Sequence, residues 1–288
     1  MPAAFRGLCW YYALCCSRVA RKIGVLADMT ARRAVRKVLA QLGYSIHRAQ
    51  SGIGGDAFAD IHTLINRDRP LIFDVGANVG QSIDAFRSWF PDGYIHSFEP
   101  SPTIFKPLKA KVERLPNVAC WNMALGSEPA DGLLNENSMS EWSSLLPLDS
   151  GWGSVVRQTS VPVRTVDSFS EEHRIAEIDL LKSDTQGFEL EVLRGARKML
   201  QEARVGLIYC EIIFTQLYKG VPPFTAICNF LLEHGFSLVS FYNFSYTEAL
   251  TADWADALFI HSSRMVARGD SVSLQQPHHS EKTKLPGV

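Results

Sequence analysis

Leu71-Ile72-Phe73-Asp74-Val75-Gly76-Ala77-Asn78-Val79-Gly80 is the stretch on which the reading of the fold turns. An apolar run of strand character ends at an acid, two glycines follow four residues apart, and Ile83, Phe86 and Phe90 then fall on one face of a helix over 80–90. Strand, tight turn and helix in that order open a βαβ unit. Gly76 lets the backbone turn tightly and approach a ligand, and Gly80 opens the helix where a side chain would crowd the strand. In an open parallel sheet, ligands bind outside the carboxyl ends of the strands, so Asp74, Gly76, Asn78 and Gly80 become candidate cofactor-binding residues. A dinucleotide site needs G-x-G-x-x-G, with glycine where the pyrophosphate passes. Here the spacing is G-x-N-x-G. Asn78 disfavours a nicotinamide enzyme and favours S-adenosylmethionine, which has no phosphate and whose amino-acid moiety Asp74 could receive.

The next segments extend this pattern. Tyr94-Ile95-His96-Ser97-Phe98-Glu99-Pro100 reads as a second strand ending in an acid about 20 residues after the turn, the spacing at which a carboxylate accepts ribose hydroxyls. Pro102 suits the first turn of the following helix. Trp121-Asn122-Met123-Ala124-Leu125-Gly126 ends a third strand, where Asn122 and Ala124 would flank an adenine. Strands are expected at 71–75, 94–98, 117–121, 178–183, 205–212, 236–241 and 257–261, and helices at 80–90, 102–114, 189–203 and 223–234. That alternation predicts a doubly wound α/β fold of class I methyltransferase (Rossmann-like) type. Its sheet is seven-stranded and mostly parallel, with the last two strands as an antiparallel pair at one edge.

Composition sets the boundaries. With 288 residues, 46% hydrophobic and 20% charged, the chain can bury one large α/β core. Residues 1–50 carry nine Lys/Arg against the single acid Asp28, a net +8, so a formal net charge of −1 leaves −9 for the rest. This basic helical arm reads either as a helix packed on the main domain or as a peripheral membrane contact through Trp10, Tyr11 and Tyr12. The acidic body is not expected to bind nucleic acid. Leu8 to Cys16 is far shorter than the roughly 20 residues a spanning helix needs. None of the six cysteines has C-x-x-C spacing. Cys120 and Cys210 lie in apolar runs read as central strands, which points to reduced thiols and a cytoplasmic location, with peripheral membrane association through the arm. The expected layout is an arm at 1–50, a connecting segment at 51–69, a methyltransferase domain at 70–262 and a disordered polar tail at 263–288. Residues 126–165, rich in Ser, Gly, Asn and Pro, read as an inserted substrate-side lid or disordered segment.

Taken together, Asp74–Gly80, Phe98-Glu99-Pro100-Ser101-Pro102, Asn122–Gly126, Ser143-Ser144-Leu145, Val163–Phe169 and Leu180–Glu189 resemble the FkbM family of methyltransferases over about residues 70–262. The resemblance implies O-methylation of a hydroxyl on a sugar, glycolipid, polysaccharide or related secondary metabolite. It departs from the family pattern at Ser183, where an apolar residue is usual, and at Thr185, where valine or alanine is usual.

Methyl transfer to oxygen is an in-line displacement, and a hydroxyl is a poor nucleophile until a base takes its proton. Asp184 ends the fourth strand and Glu211 the fifth, neighbours in the usual strand order. They are the candidate catalytic residues, and they could also share a divalent metal such as Mg that lowers the hydroxyl pKa. Asp184 also reads as a helix cap, Glu189 as a first-turn helix acid, and His96 as a packed histidine. Ser143 and Ser144 are candidate contacts to the acceptor or ordinary loop polars. The readings carried forward are an S-adenosylmethionine-dependent methyltransferase, a non-catalytic module that binds S-adenosylmethionine, and, third, an NAD-dependent enzyme.

Overall fold

A computed structural model describes residues 52–149 and 153–266. The basic arm over 1–50, Trp152 and the tail beyond 266 lie outside the described residues. In chain order the elements are α1 (Ala57–Ile65), β1 (Leu71–Val75), α2 (Gln81–Trp89), β2 (Tyr94–Phe98), α3 (Pro102–Val112), β3 (Val118–Trp121), β4 (Ala124–Leu125), β5 (Ala130–Asn137) and β6 (Val155–Arg164). There follow α4 (Val166–Glu172), β7 (Ile178–Ser183), α5 (Glu189–Arg194), α6 (Arg197–Gln201), β8 (Val205–Ile213), α7 (Phe224–Glu233), β9 (Phe236–Tyr242), β10 (Trp254–His261) and α8 (Ser262–Val266).

The main sheet has seven strands in the order β3-β2-β1-β7-β8-β10-β9. Pairing is parallel from β3 through β8, while β10 runs antiparallel to both β8 and β9. The expected antiparallel pair therefore closes one edge, and the reversed strand β10 sits one place in from it. The strand order reverses between β1 and β7, with Val75 beside Ser183 at their carboxyl ends. This is the switch point at which doubly wound folds bind ligands.

Alternation along each strand feeds two cores. Phe73, Leu181 and Ile208 face a layer that includes Val166, Phe169, Leu193 and Ile227, from α4, α5 and α7. Their neighbours Ile72, Leu180 and Leu207 face Ile61, Ile83, Phe86 and Leu108, from α1, α2 and α3. Because both faces are covered, β7 and β8 are buried from end to end, with Asp179, Lys182, Ser183 and Glu211 buried among their apolar residues.

Four expectations change. The helix expected over 189–203 is two helices, broken at Gly195. A Cβ there would lie 2.0 Å from the Gly126 carbonyl oxygen, and the Asp167 carboxylate accepts from the Lys198 and Met199 backbone N–H groups (2.9 and 3.0 Å), starting the second helix. The segment 126–165 carries a folded second sheet, β4-β6-β5, in which β5 and β6 pair antiparallel from Ala130↔Val163 to Asn137↔Val155. Cys120 lies on the edge strand β3, while Cys210 is central and buried. Residues 263–266, the start of the expected tail, belong to the short helix α8. Among the described residues, no helix is long and apolar enough to cross a membrane.

Candidate active site

Outside the carboxyl ends of β1, β2, β7 and β8 lies a cavity of about 750 Å³, within the size range of sites that take small molecules and cofactors. Its two ends are built differently.

One end is made largely of backbone. Gly76, at φ +76°, leaves β1 so close to β7 that a Cβ would stand 1.8 Å from the Asp184 carbonyl oxygen. Glycine is required there on both counts. Asn78 adopts the left-handed conformation (φ 47°), one that asparagine tolerates better than most residues. Glu99, at the end of β2, accepts from the Asn78 N–H (2.9 Å) and the Ser101 N–H (2.8 Å), which fixes the β1–α2 turn against the β2–α3 turn. Burial raises the Glu99 carboxyl to about 7, against the lowering effect of those two N–H donors. Gly76, Ala77, Asn78, Glu99, Met123, Ala124 and Leu125 all line this end.

Three expected cofactor residues lie behind the wall. The fully buried Asp74 carboxylate pairs with Lys182 Nζ at 3.0 Å. Asn122 donates to the carbonyls of Glu99 and Pro100, both at 2.9 Å, and so braces the turn. Gly80 caps α2 at φ 87°, where a Cβ would meet Leu108, Ile83 and Lys111 at 3.0–3.3 Å. The cation between Asp74 and the cavity is Lys182, which sequence reasoning missed. Burial pulls its pKa down, but the Asp74 and Asp184 carboxylates outweigh this and raise it above the ordinary value. Its Nζ also donates to the Gly76 carbonyl (3.1 Å) and lies 3.6 Å from Asp184.

The other end is made of side chains. Asp184 and Glu211 meet across Gln186, whose Nε2 donates to Asp184 Oδ1 (3.1 Å) and Glu211 Oε2 (2.9 Å). Burial raises the Glu211 carboxyl well above the usual range, and Asp184, Glu189 and Asp256 add to the rise. Tyr218 donates to Gln186 Oε1 (3.0 Å) and completes the bridge. Asn243, Ser245, Asp253, Trp254 and Asp256 close this end from the β9–β10 connection and the start of β10.

The second sheet's connecting segment roofs the cavity. Asn78 Nδ2 donates to Ser140 Oγ (3.3 Å), and Ser101 Oγ to Glu136 (3.3 Å). Ser144 Oγ donates to the Gln186 carbonyl (2.7 Å) and accepts from the Leu146 N–H (3.0 Å), while Ser143 Oγ accepts from the Asn137 N–H (3.1 Å). Both serines line the cavity with their hydroxyls engaged in holding the segment.

Other sequence readings resolve locally. The Asp184 carboxylate caps no helix, since the N-cap of α5 is Phe188. Glu189 opens that helix and accepts from the Thr185 N–H (2.7 Å) and Oγ1 (3.0 Å), with burial raising it to about 7. His96 is packed in the sheet and accepts from Trp121 Nε1 (3.1 Å); burial, and then His173, lower it to about 4. Among the described residues, no group of three or more His, Cys, Asp or Glu is arranged to hold a metal ion.

Chemically, the cavity offers a glycine turn and a strand-end carboxylate at one end, the arrangement that fits a nucleoside cofactor, and a carboxylate of raised pKa at the other. The chain is 25% identical over 186 residues to the 2-O-methyltransferase NoeI of Sinorhizobium fredii, covering 59% of this chain and 74% of that protein. It is 24% identical over 156 residues to the hexuronic acid methyltransferase AglP of Haloferax volcanii, covering 53% of this chain and 58% of that protein. A crystal structure of methyltransferase FkbM from Methylobacillus flagellatus aligns with a TM-score of 0.45 at 15% identity, over 67% of this chain and 44% of that one. The model of the methyltransferase FkbM domain matches residues 74–238, more than half of the chain, from the buried Asp74 to Leu238 in β9. The chain belongs to the FkbM family of S-adenosylmethionine-dependent methyltransferases.

Proposed function

We propose that this enzyme methylates a hydroxyl group of a glycan, glycolipid or related small molecule, with S-adenosylmethionine held at the glycine-turn end and the acceptor at the Asp184–Glu211 end. The observation that carries this reading is that Asp184, Gln186 and Glu211 form one hydrogen-bonded set in the same cavity as Gly76, Asn78 and Glu99. The names of the two curated relatives, a 2-O-methyltransferase and a hexuronic acid methyltransferase, support an oxygen acceptor on a sugar.

Bound there, S-adenosylmethionine supplies an electrophilic methyl group on a sulfonium. Glu99 holds the ribose hydroxyls, Gly76, Asn78 and Ala124 shape the wall, and Lys182, neutralised from below by Asp74, faces the amino-acid end. Glu211 takes the proton from the acceptor hydroxyl, and its raised pKa makes its carboxylate a stronger base than an ordinary one. Asp184 and Gln186 orient that hydroxyl, and Ser143 and Ser144 fix the roof above it. Were a divalent cation also required, Asp184 and Glu211 would be its protein ligands and solvent or the acceptor would have to complete the shell.

The charge of residues 1–50 supports placing the enzyme in the cytoplasm at an anionic membrane surface, where lipid-linked acceptors lie. Removal of the arm should abolish sedimentation with anionic vesicles, and unchanged sedimentation would refute that placement. The activity is tested by incubating the full chain with methyl-labelled donor and hydroxyl-bearing glycans. Label in alkali-stable methyl ethers is expected. Donor binding without transfer to any acceptor would instead favour a non-catalytic binding module.

A further inference from the structure

The acceptor end carries an electrostatic bias that the family assignment does not specify. Four carboxylates line it: Asp184, Glu211, Asp253 and Asp256. They converge from separate elements. Asp256 lies directly beside Glu211 in the β8–β10 pairing, Gln186 joins Glu211 to Asp184, and Asp253 is held at the start of β10 by Thr215 Oγ1 (2.5 Å). Among the described residues that line the cavity, Lys182 is the one Lys or Arg. Its ammonium is engaged with Asp74 at 3.0 Å, the Gly76 carbonyl at 3.1 Å and Asp184 at 3.6 Å.

Burial already raises Glu211 and Asp256 above the ordinary carboxylate range. An acidic acceptor brought here would add a further negative charge to this group and lose its hydration without gaining a cation, and both effects oppose binding. A sugar without an acid group meets the opposite situation. Its hydroxyls donate to carboxylates, which makes the stronger, charge-assisted kind of hydrogen bond. Trp142, Tyr218 and Trp254 supply apolar surface for the ring face. An amino group would add an ion pair.

We propose that this site is charge-selective: the ring that enters it is a neutral or amino sugar, and hexuronic acids and phosphorylated sugars are excluded by Asp253, Asp256 and their neighbours. This rests on the reading of the cavity as the site of hydroxyl methylation, and it separates this chain from a relative named for methylating hexuronic acid. The selectivity is built from like-charge repulsion, the usual means of rejecting a wrong partner.

The test uses the full chain with methyl-labelled donor and a total glycan and glycolipid extract, followed by hydrolysis and electrophoretic separation of the sugars by charge at pH 7. Label is expected in the neutral and basic fractions. Most of the label in the acidic fraction would overturn the proposal. No labelled sugar in any fraction, with calorimetry still showing donor binding, would overturn the underlying methylation reading as well, and the two failures are thereby told apart. In competition between a matched neutral glycoside and its uronic acid form, Asp253→Asn/Asp256→Asn should raise the acidic share about tenfold or more, equivalent to about 1.4 kcal/mol. An unchanged ratio in a variant with normal donor affinity would show that these carboxylates do not select.

Discussion

The two ends of the cavity are made from different parts of the chain. The donor end takes its turns from two consecutive βα units, residues 74 to 101, with Met123, Ala124 and Leu125 added after β3, and depends on backbone: a turn that only glycine can make at 76, a left-handed Asn78, and N–H groups gathered by Glu99. The acceptor end draws single side chains from β7, β8, the β9–β10 connection and the segment roofing the cavity, separated by more than 100 residues. A backbone-built site has few sequence solutions, because turn geometry dictates the residue. A side-chain-built site can be varied one position at a time, which lets related enzymes keep a donor and change an acceptor.

That contrast can be broken at several points. The largest expected effect is at Gly76. Gly76→Ala places a methyl 1.8 Å from the Asp184 carbonyl oxygen at a positive φ, and should cost at least about 3 kcal/mol of stability. Thermal melting would register it, and an unchanged midpoint would mean that the two strand ends are not in contact. Glu99→Ala comes next. Losing the carboxylate that holds both turns should weaken donor binding about 10- to 100-fold by calorimetry, the equivalent of one or two charge-assisted hydrogen bonds. Unaltered affinity would remove Glu99 from the donor end. The smallest effect is a pH dependence. Burial raises Glu99 and Glu189 each to about 7, so between the unfolded value near 4.5 and that pH the folded chain holds protons that the unfolded chain releases. Stability should therefore be greatest at the acid end of that window and fall as pH approaches 7. Glu189→Gln, which keeps an acceptor for the Thr185 N–H, should flatten part of that slope. An identical slope in the variant would show that Glu189 does not carry the proton.

The same contrast explains what could be read from sequence. Strands β1, β2, β7 and β8 were legible as short, mostly apolar runs between helical segments, and Glu99 because its distance from Gly76 is set by one βα unit. Asp184 and Glu211 were legible as strand ends. Gln186 was not, since its role as the amide between two acids depends on the pairing of β7 with β8 and on Tyr218, which is 32 residues away. The position of Asp74 behind the wall had no signal in the sequence, because the cation that covers it, Lys182, comes from the neighbouring strand of the switch point. The second sheet was hidden by its Ser, Gly and Asn content. The signal was present in β6, where β-branched Thr159, Val161 and Val163 lie two apart, with Val161 and Val163 buried between exposed Ser160, Pro162 and Arg164. The break at Gly195 had no signal beyond the glycine itself, because the carbonyl that requires it belongs to Gly126.

The division of labour between the ends is tested most directly by single-turnover methyl transfer in Glu211→Gln, measured at saturating donor together with donor affinity by calorimetry. If the acceptor end supplies the base, the transfer rate falls about 100-fold or more, the acid limb of the pH–rate profile disappears, and donor affinity stays within about twofold of the unaltered enzyme, a difference of about 0.4 kcal/mol. Full transfer rate in the variant, or a loss that comes entirely from weakened donor binding, would contradict the account.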